Sequence, residues 1–105
     1  MKEIDITVVR IYITEASDLL EKLLDYLKNE ATVRGVTVFR AISGYGDDGK
    51  IHTSTLVDLS LNLPLVIEFF DEKDKVKSII EKLSATSKPE HIVFWDAKTN
   101  DNSQV

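Results

Sequence analysis

The chain is predicted to be an α+β protein, one four-stranded antiparallel sheet with both helices on one of its faces. Two observations carry that prediction. Four runs rich in β-branched and aromatic residues alternate with two runs of apolar residues at helical spacing, in the order βαββαβ. The 105 residues are 43% hydrophobic and 30% charged, so a single domain with a real core is expected.

Taken in order, residues 4–13, IDITVVRIYI, are the first expected strand. Val8, Val9, Ile11, Tyr12 and Ile13 put apolar groups on both of its faces. Both faces should therefore be covered, one by helices and the other, in so small a protein, by another subunit. Thr14 or Ser17 can cap a helix expected over 16–32. There Leu19, Leu20, Leu23, Leu24, Leu27 and Ala31 recur on one face, and the helix should stop before Gly35. Residues 36–43 are the second strand, and a polar segment from 44 to about 62 follows. Leu63–Phe70 is the third strand, with Pro64 near its start, where a missing N–H is tolerated. Asp71-Glu72-Lys73-Asp74 opens the second helix, with Val76, Ile79, Ile80 and Leu83 as its stripe and Pro89 beyond its end. His91–Ala97 is the fourth strand. The domain should span 1–98, leaving 99–105 as a polar, flexible tail. Two βα halves of similar length give a split βαβ, ferredoxin-like sandwich. Its bare sheet face is expected to show Tyr12, Phe39, Phe69, Phe94 and Trp95, and to be covered by self-association.

All four glycines fall within Arg34–Thr53, RGVTVFRAISGYGDDGKIHT. Three of them, with Asp and Lys between, make either a hairpin tip or a mobile polar loop that cradles an anion.

Composition excludes several function classes. Without cysteine there is no disulfide framework, thiolate nucleophile or thiolate metal site. A formal net charge of -5 argues against a nucleic-acid binder, which needs a basic surface. No apolar run approaches the roughly 18 residues of a membrane span, and Met1–Asp5 carries no secretory pattern, so a cytoplasmic protein is expected.

The segment Gly35-Val36-Thr37-Val38, the turn Gly44-Tyr45-Gly46 and the later His52-Thr53 resemble the PII signal-transduction proteins. RGVTVFRAISGYG, IHT and LPLVIEF together look more closely like the PII-like group of domain of unknown function 190. The resemblance covers about residues 5–97. It implies a PII-like trimer with an adenine nucleotide in each of its lateral clefts. Thr37 and Glu68 would line the adenosine end, and the backbone of Gly44, Tyr45 and Gly46 would face the phosphates. Asp47, Asp48, Gly49, Lys50, His52 and Thr53 would belong to the effector loop, which docks on a target protein. PII relatives make a membrane transporter or channel the first partner to consider.

Two departures shape the expected ligand. From Gly35 to Gly44 there is one residue more than in PII proteins, so a β-bulge is expected near Ala41. The PII Gly-Asp-Gly-Lys before the last strand reads Lys88-Pro89-Glu90-His91, and the C-terminal arginines that complete a triphosphate site are missing. A triphosphate needs several donors or a metal. Lys88, His91 and Lys50, helped by Arg34, Arg40 or Lys98, suit AMP or ADP better than ATP, with magnesium open.

The remaining candidates read plainly. His52 and His91, far apart and without cysteine, are a hydrogen-bonding loop anchor and a strand-start residue rather than a zinc pair. Asp47-Asp48 is a solvated pair, with a magnesium or effector contact as the other reading. Glu68 among Val66, Ile67, Phe69 and Phe70 needs a partner, in an intersubunit ion pair or a nucleotide contact. The expected function is thus a non-enzymatic regulator that binds a small adenylate and presents its 44–62 loop. The alternatives are an oligomeric scaffold with a vestigial or non-nucleotide site, and a small acylphosphatase-like hydrolase, which Gly35–Arg40 superficially suggests.

Overall fold

A computed structural model describes residues 1–15, 17–45, 51–53, 63–87, 89 and 91–101. β1 is Glu3–Thr14, followed by α1, Leu19–Asp25, and a wider π-helical turn, Tyr26–Glu30. β2 is Val36–Arg40, and two short strands, β3 (Ser43–Gly44) and β4 (His52–Thr53), pair with each other. β5 (Pro64–Asp71), α2 (Lys73–Thr86) and β6 (His91–Asn100) complete the chain. The main sheet has the order β2-β5-β1-β6 with every neighbour antiparallel, the expected ferredoxin-like topology.

Register explains which residues are buried. In β1 the odd positions Val9, Ile11 and Ile13 face the helices, opposite Phe69, Ile67 and Leu65 of β5. Leu23 and Leu27 from the first helical segment, and Val76, Ile79 and Leu83 from α2, close over them. The apolar stripes read from the sequence are therefore the core. On the other face lie cross-strand rows without a covering layer. One is Thr37–Glu68–Arg10–Val93, the next is Phe39–Val66–Tyr12–His91, and a third joins Phe70, Val8 and Trp95.

Several expectations are corrected. Tyr12, Phe39 and Trp95 lie on the uncovered face, but Phe69 is 1% exposed in the core, and Phe94, opposite Val9, is on the helix side at the β6 edge. Side chains alternate along a strand, so Phe70 takes the place expected of Phe69. The first helix begins at Leu19 rather than 16, because Ser17 Oγ accepts the Leu19 N–H at 3.2 Å. It ends at Glu30 rather than 32. The Ala31 N–H bonds the Tyr26 carbonyl at 2.9 Å, the Val33 N–H bonds the Leu27 carbonyl at 3.1 Å, and Thr32 is left-handed at φ 51°. That is a left-handed cap widened by the π turn, on a β-branched residue that adopts it at a cost. β2 pairs regularly without a bulge, and the Ala41 N–H continues the register to the Pro64 carbonyl at 2.9 Å. β6 runs past the expected Ala97 to Asn100 because β1 starts at Glu3 and supplies partners for Thr99 and Asn100.

Candidate functional site

Thr37 and Glu68 are direct cross-strand partners on the uncovered face. They line a concavity of about 300 Å³ at the sheet edge, together with Arg34, Gly35 and Phe70. A Cβ built on Gly35 would meet nothing within 4 Å, so the chain's own packing does not demand a glycine there. Glu68 is held on the open face by its cross-strand neighbour Arg10, whose Nε donates to Oε1 at 2.8 Å. The Arg10 guanidinium also lies 5.7 Å from the Trp95 ring centroid. The Glu68 hydrogen bond first, and the Tyr12 hydroxyl second, hold that guanidinium charged, above the usual arginine range. Glu68 thus has the partner its apolar strand requires, within the same chain.

At the other end of β2 the base of the 44–62 segment is built. Gly44 pairs with His52, and a Cβ on Gly44 would meet Pro64 Cγ at 3.1 Å. This close approach is what the glycine permits. Arg40 grips Glu15 twice, Nε to Oε1 at 2.9 Å and Nη2 to Oε2 at 3.1 Å. The Glu15 N–H donates to the Leu63 carbonyl at 2.8 Å. Arg40 was a candidate phosphate donor. Its fork instead clamps the point where β1 ends and the segment returns. Lys98 is likewise engaged, with Asp5 at 3.0 Å. Sequence reasoning passed over Glu15 and Arg10. The signal for Arg10 was an arginine at an even position of an apolar strand, opposite the similarly placed Glu68.

Tyr45 is exposed next to the β3–β4 pairing. His91 starts β6 opposite Tyr12, three strands from β2, or about 14 Å at the usual strand spacing. One chain therefore brings Thr37 and Glu68 together, and does not bring His91 to them. Gly44 lies against Pro64, four residues or about 13 Å along β5 from Glu68. Gly46, Asp47, Asp48, Gly49, Lys50 and Lys88 lie outside the described residues, as do the side chains of His52 and Thr53. Among the described residues no group of three or more His, Asp or Glu could hold a metal ion, and no helix is long and apolar enough to cross a membrane.

The model of the DUF190 family, described as an uncharacterized ACR, matches residues 6–99. The chain belongs to the DUF190 family. A UPF0166 protein of Aquifex aeolicus is 32% identical over 100 residues, covering 93% of this chain and 97% of that protein. A second one from the same organism is 39% identical over 69 residues, which cover 66% of this chain and 65% of that protein. Among solved structures, CPII from Thiomonas intermedia K12, a nitrogen regulatory PII-like protein bound to ADP, AMP and bicarbonate, superposes with a TM-score of 0.73. It is 19% identical and covers 95% of this chain and 92% of its own. A Thermus thermophilus protein described as PII-like and signalling gives 0.61, at 16% identity over 94% of this chain and 91% of its own. At these identities the structures establish the fold, so this DUF190 chain is a PII-like α+β sandwich.

Proposed function

We propose that this DUF190 protein is a PII-like regulator, a homotrimer that binds AMP or ADP in clefts between subunits and presents its 44–62 segment to a partner protein. The observation that carries the reading is the half-built site. Thr37 and Glu68 floor a concavity that opens at one sheet edge, whereas His91 belongs to the opposite edge. A second copy set edge to edge would bring the two halves together. The adenylates bound to CPII, a protein of the same fold, support the choice of ligand. With Arg40 and Lys98 committed to carboxylates, fewer cations remain for a triphosphate, which favours AMP or ADP over ATP.

Isothermal titration with AMP, ADP and ATP, with and without Mg²⁺, tests this, with product analysis on the same samples. The expected result is saturable AMP or ADP binding without product, and weaker ATP binding. No binding by any of the three would favour an oligomeric scaffold, and product formation would favour a hydrolase.

A further inference from the structure

Among the described residues, Arg10 is the charged group at the centre of the uncovered sheet face that the proposed function leaves without a task. It sits on β1, between Glu68 on β5 and Val93 on β6. Its Nε bonds a single oxygen of Glu68, at 2.8 Å. Among the described residues nothing bonds the other oxygen, and Glu68 lines the concavity beside Thr37. The guanidinium also lies 5.7 Å from the Trp95 ring centroid. A carboxylate with one oxygen clamped keeps a fixed rotamer and presents the other as an acceptor, and the clamp also compensates its charge.

We propose that Arg10 is a positioning residue for the ligand site: it fixes Glu68 so that Oε2 accepts a hydrogen bond from a neutral donor of the nucleotide, an exocyclic amine or a ribose hydroxyl. This rests on the adenylate reading above, in which the nucleoside lies at Thr37 and Glu68, and adds Arg10 to it. The clamped carboxylate favours the end of the ligand that donates hydrogen bonds.

The test uses the full chain and three probes: AMP, purine riboside 5′-monophosphate, which lacks the exocyclic amine, and 2′,3′-dideoxyadenosine 5′-monophosphate, which lacks the ribose diol. Affinities are measured for the wild type, Arg10→Met, Arg10→Lys and Glu68→Gln, with the mass in solution and the ligand-free melting temperature recorded for each. In the wild type, one of the two analogues should bind about tenfold or more weakly than AMP, the usual loss for a hydrogen bond to a charged group. Arg10→Met and Glu68→Gln should both weaken AMP and bind AMP and that analogue alike, and Arg10→Lys should restore part of the preference. A purely structural role for Arg10 would lower all affinities together and leave the preference intact, which overturns the proposal. Equal binding of all three probes by the wild type also overturns it, while leaving the adenylate reading in place. No AMP or ADP binding by the wild type overturns both.

Discussion

At the scale of single residues, two glycines and one threonine separate folding from function. Gly35 lines the concavity with open space around its missing Cβ. Gly35→Ala should therefore change stability by less than about 0.5 kcal/mol in a urea titration and still weaken AMP binding, because the added methyl projects where the ligand is proposed to lie. Gly44 behaves differently. A Cβ there crowds Pro64 Cγ at 3.1 Å, so Gly44→Ala should lower the melting temperature as well. Thr32 carries strain that the sequence does not reveal, with φ at 51° on a β-branched residue. Thr32→Gly should stabilise the fold by about 1 kcal/mol, measured by denaturant midpoint. The motif glycines were legible as unusual backbone positions because glycine is named by its own chemistry. Thr32 was not, since its conformation follows from the π turn before it. The Arg10–Glu68 pair was half legible. A carboxylate on an apolar strand signals a need for a partner, and only the β1–β5 register names it.

At the scale of elements, periodicity located all four main strands and both helices, because each buries a face against a single layer. The ends were harder to read. The first helix gives way to a π turn at Tyr26, and its outer end is tied to α2 by Lys82, which bonds Glu30 at 2.9 Å and stacks on the Tyr26 ring at 4.7 Å. The Glu30 hydrogen bond raises the Lys82 pKa above its ordinary value. The folded pKa being the higher one, this contribution is fully present below about pH 10.5 and fades as pH rises through the folded value. Lys82→Met should accordingly lower the melting temperature at pH 8, and the gap to the wild type should shrink as the pH rises through the raised Lys82 pKa. The pairing of β3 with β4 could not be read from two-residue strands, which have no period. Sheet-face assignment failed for Phe69 and Phe94 for a related reason. In runs such as IEFF and VFW nearly every residue is apolar, and only register decides which face each takes.

At the scale of the whole molecule, one face of the sheet is packed and the other is not. Phe69 is central to the packed side, so Phe69→Ala should cost about 3–5 kcal/mol of unfolding free energy. On the open side Phe39, Phe70, Val93 and Trp95 are all more than a third exposed. Apolar side chains this exposed on both sides of the Arg10–Glu68 row call for a cover, and further copies of the chain supply one in the proposed trimer. Trp95→Glu should then reduce the mass in solution without unfolding the chain, and should abolish AMP binding along with assembly. The central claim is that ligand site and assembly are one structure. Native mass spectrometry of the wild type with AMP tests it most directly, because it counts chains and ligands in the same particle. The expected spectrum shows a trimer carrying up to one AMP per chain, with no AMP on monomers. A monomer that retains AMP, or a trimer that never takes it up, would show that binding and assembly are separate.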